Sequence, residues 1–96
     1  MIFPYLTNEK ELLLRLQQGD YRAFENIYTN HKEKIANRLL RLLKSYDLVE
    51  DILQELFIRL GNNRKTIDTE KQIEAYLYTM ATNLVNDYFQ SVSKDK

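Results

Sequence analysis

The 96-residue chain has the size of one domain with a single core, and 44% hydrophobic content with only 2 Gly and 1 Pro favours ordered helix over disorder. It contains no Cys, which excludes disulfides and thiolate metal sites. Its 14 basic and 14 acidic residues do not indicate a strongly basic DNA-binding protein, and no apolar run approaches the roughly 20 residues that a membrane span needs.

Two helices are predicted in the first half of the chain. The first begins after Asn8, a capping residue with Glu11 three positions on, and stops at Gly19. Asp20 caps the second, which is long and ends near Lys44 or Ser45. Its apolar stripe has helical spacing and consists of Phe24, Ile27, Tyr28, His31, Ile35, Leu39 and Leu42.

A third helix has the clearest apolar periodicity. Asp47 is its candidate cap, Glu50 completes a box-like pattern, and Gly61 is the expected terminator. Its apolar positions are Val49, Ile52, Leu53, Leu56, Phe57 and Leu60.

Residues 62 to 69 are polar and aperiodic, which predicts a loop before a fourth helix. Thr69 and Gln72 fit a capping box for that helix, which should fade near Ser91 and leave 93–96 as a frayed tail. Its apolar face consists of Ile73, Tyr76, Leu77, Met80, Ala81, Leu84 and Tyr88.

The predicted fold class is all-α, because no segment alternates with period two between turn residues. We expect one domain over 1–96, a small orthogonal or antiparallel four-helix bundle with its core at about 8–91.

The residue pattern does not indicate catalysis. His31 is the only histidine and lies on an apolar stripe, so it is interpreted as structural or interfacial, since a general base needs an orienting partner and a pocket. Glu50, Asp51 and Glu55 raise the alternative of a metal-binding or enzymatic bundle. Such bundles pair inward-facing Glu and His, whereas these acids face outward. We therefore expect no enzyme activity, no metal and no cofactor.

Charge is distributed unevenly along the middle of the chain. Basic residues dominate 32–44 and acidic residues dominate 47–60. These segments are either two solvated helix faces or two surfaces of opposite sign for different partners.

One face of the third helix combines acids with an aliphatic residue. Asp51, Gln54, Glu55 and Ile58 share it by i, i+3, i+4, i+7 spacing. The face is either a solvated surface with one stray apolar residue or a protein contact in which the acids pair with arginine.

The polar face of the fourth helix is rich in hydroxyls and amides: Thr79, Thr82, Asn83, Asn86, Asp87 and Gln90. Asn and Thr are mediocre helix formers, and their side chains can hydrogen-bond to base edges. Aromatic residues at 76, 78, 88 and 89 either stack on unpaired bases or pack in the core. Arg64 and Lys65 in the loop are candidate phosphate contacts.

Several segments resemble, in order and near spacing, region 2 of extracytoplasmic-function sigma factors of the sigma-70 family. Residues 19–28 read GDYRAFENIY and are similar to the family's GDxxAFxxLY. Residues 49–60, VEDILQELFIRL, resemble AEDLVQEVFLKL. Residues 75–83, AYLYTMATN, resemble AWLYTIARN, and 87–89, DYF, resemble DYL. The resemblance covers about residues 8 to 90.

This resemblance implies a non-enzymatic, cytoplasmic, bacterial initiation factor. The third helix would bind the β′ clamp helices of core RNA polymerase through Asp51, Gln54, Glu55 and Ile58. The loop and the fourth helix would capture a flipped base of the promoter minus-ten non-template strand. The candidate DNA contacts are Arg64, Lys65, Thr79, Asn83, Asn86 and Asp87. An anti-sigma factor is a further expected partner, and no membrane insertion is expected.

Departures from the family pattern leave an alternative open. Tyr76 stands where the family usually has Trp, and Gly61 stands where an aromatic residue is frequent. Thr82 replaces the usual Arg, and residues 90–93 replace a basic run. Without Lys or Arg between Gln72 and Ser93, the chain alone should bind duplex DNA poorly. The alternative is a sigma-like interaction bundle that binds polymerase or an anti-sigma factor without engaging DNA. The family's second domain, region 4, is absent here, which implies a domain excised from a longer protein.

Overall fold

Four α-helices and one short 3-10 turn form the part of the chain that the computed structural model describes, residues 8–94. The elements are α1 Glu9–Gln17, α2 Tyr21–Leu43, α3 Tyr46–Asn62, the 3-10 turn Arg64–Thr66, and α4 Ile73–Lys94. The prediction of an all-α four-helix fold is confirmed. Within the described range, no helix has both the length and the hydropathy required to cross a bilayer.

The first two helices begin where their capping residues predict. Asn8 Oδ1 accepts the N–H of Glu11 at 3.1 Å, and Asp20 Oδ1 accepts the N–H of Arg22 at 2.9 Å. Between them Gly19 has φ of 84°, a left-handed conformation that glycine adopts without steric cost. The chain therefore turns tightly from α1 into α2.

The cap of α2 also predicts how stability depends on pH. The Arg15 guanidinium, 2.9 Å from Asp20, and the Arg22 N–H hold the pKa of Asp20 below its ordinary value of 3.8. A lowered pKa stabilises the fold above that ordinary value, and the stabilisation is lost as pH falls through the folded-state pKa. We expect Asp20→Asn to unfold at a lower temperature than the wild type at pH 7, with the difference shrinking as pH falls below the ordinary value of 3.8. Thermal denaturation across this pH range measures the difference in melting temperature, and a difference that does not change with pH would contradict the prediction.

Both predicted ends of the third helix were wrong. The cap is Ser45, whose Oγ accepts the N–H of Leu48 at 3.3 Å, while Asp47 lies inside the first turn, where its charge suits the helix dipole. Gly61 does not end α3, which continues to Asn62. Arg64 Nη1 donates to the Gly61 carbonyl at 3.0 Å, so a later side chain satisfies the end of the helix.

The predicted start of the fourth helix was also wrong. The helix begins at Ile73, four residues after Thr69, so the proposed Thr69–Gln72 capping box does not form. Instead the Ile73 N–H donates to Glu9 Oε2 of α1 at 2.6 Å. The helix passes the predicted end at Ser91 and reaches Lys94; residues 95–96 of the predicted tail lie outside the described range.

The core lies where the four helices meet, with α3 packed between α2 and α4. The apolar stripe predicted for α2 is not buried along its whole length, because Tyr28 is 37% exposed and Leu42, near the end of the helix, is 53% exposed. The loop contributes Ile67 to the core, and α4 adds Val85. The largest fully buried side chains are Leu13, Leu16, Ile27, Ile35, Leu39, Leu56, Leu60, Ile73 and Leu77.

Candidate functional site

The outer face of α3 presents the four residues that the helical spacing predicts together. Asp51, Gln54 and Glu55 are exposed, and the Ile58 side chain is 50% exposed. Glu55 Oε2 accepts a hydrogen bond from Arg59 Nε at 2.8 Å, one turn along the same helix. A half-exposed aliphatic group beside carboxylates suits a protein partner that brings cationic and apolar side chains.

A groove of about 490 Å³ runs beside this face, between α2 and α3. Its floor is aromatic: the Tyr28 and Phe57 rings meet edge to face at 4.9 Å, and Phe24 meets Phe57 at 6.3 Å. The rest of the lining is mixed, with charged and polar side chains beside two aliphatic ones, and Lys32 Nζ lies 5.1 Å from the centre of the Tyr28 ring. The full lining is Phe24, Tyr28, Lys32, Glu50, Leu53, Gln54, Phe57 and Ile58. The groove can receive an apolar side chain between charged edges.

The polar face of α4 is open to solvent along its length. Every member of the predicted set is exposed: Thr79, Thr82, Asn83, Asn86, Asp87 and Gln90. Phe89 is also exposed, whereas Tyr76, Tyr78 and Tyr88 are half-buried. The hydroxyls and amides are therefore free to bind an external partner, and of the four aromatic residues Phe89 is the most accessible.

A cleft of about 290 Å³ lies between the end of the loop and the start of α4. Its lining residues are Ile67, Asp68, Lys71, Gln72, Ile73, Ala75, Tyr76 and Thr79. The cleft is small for a ligand pocket, since pockets for drug-sized ligands measure about 300 to 1,000 Å³. Burial raises the pKa of the Tyr76 phenol above its ordinary value of 10.

The predicted DNA contacts do not all meet at this cleft. Thr79 lines it, while Asn83 lies one turn farther along α4, followed by Asn86 and Asp87. The structure thus forms a small cleft that opens beside a polar helix face. Sequence reasoning missed Lys71 and Gln72 in the lining, because no local pattern marks them.

Arg64 and Lys65 are adjacent in sequence but differ in surroundings. Lys65 is exposed. The Arg64 guanidinium packs against Gly19, where a β-carbon would lie 3.6 Å from Nη2, and its buried Nε has no hydrogen-bond partner among the described residues. Arg64 therefore links the 3-10 turn to the junction of α1 and α2, and Lys65 is the more accessible cation.

A cation reaches α4 from another helix. The guanidinium carbon of Arg38 in α2 lies 4.9 Å from the centre of the Tyr78 ring, and Arg38 is exposed. This cation–π contact supplies positive charge beside a helix whose residues 73–92 include no Lys or Arg. Sequence reasoning missed the contact because the two residues lie on separate helices.

Comparison with known sequences identifies one family and two informative relatives. The family model described as Sigma-70 region 2 matches residues 27–94. The chain is 34% identical over 86 residues to the ECF RNA polymerase sigma factor SigW of Bacillus subtilis (strain 168), covering 90% of this chain and 46% of that protein. It is 29% identical over 80 residues to the ECF RNA polymerase sigma-E factor of Escherichia coli (strain K12), covering 83% of this chain and 41% of that protein. The chain thus spans less than half the length of these relatives.

A solved structure matches nearly the whole chain. It is an NMR structure of an engineered region 2 of sigmaE in complex with GTAAAA, with a TM-score of 0.83 and 28% identity. The match covers 98% of this chain and 97% of the other. All four helices described above therefore have a counterpart in a domain that was solved with this oligonucleotide.

Proposed function

Since this chain belongs to the sigma-70 family, as a region 2 of the extracytoplasmic-function type, we propose that it docks on RNA polymerase and engages promoter DNA during transcription initiation. The observation that carries this proposal is the cleft beside the exposed Thr and Asn face of α4, in a chain that matches a sigmaE region 2 solved with GTAAAA. No covalent step belongs to this role, because the polymerase performs the chemistry.

We assign polymerase docking to α3. Asp51, Gln54 and Glu55 would pair with basic and polar groups of the β′ clamp helices, and Ile58 would be covered by the partner. The aromatic groove beside them would receive an apolar side chain, which helps to fix the orientation of the complex. Support comes from the exposure of all four residues and their continuity with the groove.

We assign capture of a minus-ten base of the non-template strand to the cleft and α4. Extruding a base costs a few kcal/mol, which a pocket offsets through stacking and hydrogen bonds. Tyr76 and Thr79 line the cleft, and the amide and carboxylate groups beyond it would bind the neighbouring nucleotides. The residues beyond it are Asn83, Asn86 and Asp87. Lys65 would lie near the phosphates, whereas the Arg64 guanidinium is held by the Gly61 carbonyl and the junction of α1 and α2.

The scarcity of cations on α4 limits how tightly this helix can bind DNA by itself. Phosphate contacts supply most of the affinity for DNA, and here the nearby cations come from outside α4, from Arg38, Lys65 and Lys71. Docking on polymerase would raise the effective concentration of the strand at the cleft and so compensate for weak intrinsic binding. We place this action in the cytoplasm, with an anti-sigma factor as a competing partner.

Asn83→Ala is expected to weaken capture of single-stranded DNA about tenfold, because one hydrogen-bonding amide aimed at a base is worth roughly 1–3 kcal/mol. Fluorescence anisotropy with labelled GTAAAA and its single-base variants, with core polymerase present, measures the loss. Asn37→Ala, an exposed asparagine on α2, is the matched control and should bind as the wild type does. An equal loss of DNA affinity in both variants would contradict the assignment of Asn83 to base capture.

The sequence of α4 also favours a second candidate, an interaction bundle that binds polymerase or an anti-sigma factor without engaging DNA. Its support is the lack of Lys and Arg over residues 73–92. Photocrosslinking to single-stranded minus-ten DNA, with and without core polymerase, separates the two. A crosslink that forms with polymerase supports base capture, and none under either condition supports the alternative.

A further inference from the structure

Helix α1 makes two hydrogen bonds to backbone groups on either side of the segment 68–72, which lines much of the cleft. Gln17 Nε2 donates to the Ile67 carbonyl at 2.7 Å, before the segment. Glu9 Oε2 accepts the Ile73 N–H at 2.6 Å, after it. Both bonds are partly buried, and they join residues 50 and 64 positions apart in sequence.

Within this segment the remaining contacts are short-range or exposed. The Glu70 N–H donates to Asp68 Oδ1 at 2.9 Å, and the Lys71 N–H donates to the Asp68 carbonyl at 3.2 Å. Lys10 of α1 pairs with Glu70 at 2.7 Å, but both side chains are more than half exposed. Exposed pairs of this kind contribute little to stability. The two bonds from Gln17 and Glu9 are therefore the main polar restraints on where the segment lies.

We propose that α1 sets the geometry of the cleft, with Gln17 and Glu9 as positioning residues that hold segment 68–72 in the conformation that receives a base. This inference rests on the proposed capture function and extends it to a helix outside the family match, which begins at residue 27. A segment fixed in advance loses less conformational entropy when a ligand binds, so its restraint increases both affinity and selectivity.

The test uses paired variants at each position. Gln17→Leu removes the donor and Gln17→Lys keeps one; Glu9→Leu removes the acceptor and Glu9→Gln keeps one. Gln18→Leu changes the exposed neighbour on α1 and is the matched control. Residue-resolved amide hydrogen exchange of the free chain, and binding of GTAAAA and its single-base variants with core polymerase present, are measured for all five.

For Gln17→Leu and Glu9→Leu we expect amide exchange to become about tenfold faster at 68–73, as for the loss of one partly buried hydrogen bond, with α2 and α3 unchanged. Discrimination among the single-base variants should fall severalfold, while affinity for core polymerase stays the same. For Gln17→Lys and Glu9→Gln, which keep a donor and an acceptor, the exchange rates and the discrimination should return toward the wild-type values. A purely structural role would instead accelerate exchange throughout the bundle and weaken polymerase binding as well.

Two failures are distinguishable. If the wild type captures no single-stranded DNA, the proposed capture function is wrong. The amide exchange rates at 68–73 then decide by themselves whether Gln17 and Glu9 position the segment. If the wild type captures DNA and both leucine variants keep its discrimination, the positioning role of α1 is overturned while the capture function stands.

Discussion

Reversing two charges on α3, Asp51→Arg with Glu55→Arg, is expected to weaken binding to core polymerase by about 100-fold, because like charges placed against a partner's basic surface cost several kcal/mol. Stability should change little, since both residues are exposed and the only ion pair lost among the described residues is the surface pair of Glu55 with Arg59. Surface plasmon resonance with immobilised core polymerase measures the affinity, and circular dichroism monitors the fold.

A matched double variant isolates the position of the charges from their number. Glu25→Arg with Glu33→Arg makes the same net change on exposed residues of α2. It should bind polymerase within a few-fold of the wild type, since scattered surface charges act mainly on the association rate. Equal weakening by both double variants would assign the effect to net charge and remove the argument for docking through α3.

Leu56→Ala is expected to lower the free energy of unfolding by about 2–5 kcal/mol, because the side chain is fully buried and its truncation leaves a cavity. A domain of this size has only about 5–15 kcal/mol of stability, so a large part of it would be lost. Urea denaturation followed by circular dichroism measures the change.

Ile58→Ala is the control on the same helix, two residues away but half-exposed. It should cost less than about 1 kcal/mol of stability, as exposed positions usually do, while weakening polymerase binding. A similar loss of stability in both variants would mean that the outer face of α3 is not free for a partner.

Local patterns in the sequence predicted the helices because each signal acted within a few residues. Asn8 and Asp20 are followed by helices whose free N–H groups they bond, and both starts were confirmed. The same reasoning predicted Asp47 as the cap of α3, but Ser45, which is also a residue type that caps helices, takes that position two residues earlier. The prediction that Gly61 ends α3 was wrong, and the Arg64 side chain, which follows the helix, donates a hydrogen bond to the Gly61 carbonyl in its last turn.

The shape of the cleft was not predictable from local patterns, because α1, which is distant in sequence, bonds to the backbone on both sides of segment 68–72. Glu9 supplies the cap of α4 from the other end of the chain, so the Thr69–Gln72 pattern had no predictive value. Lys71 and Gln72 line the cleft, and the segment that carries them lies between Ile67 and Ile73, whose backbone groups bond to α1. The exposed faces of α3 and α4 followed from helical spacing alone, and for that reason their residues were placed together correctly.

Phe57 belongs both to the buried core and to the floor of the groove beside α3. Under the docking proposed for α3, a substitution there would alter folding and association together, so natural selection has little freedom to tune one without disturbing the other. Ile58, its neighbour in sequence, carries no such double constraint. Over evolutionary time, partner preference should therefore drift through Ile58 and the groove's charged edges, while the aromatic floor changes slowly.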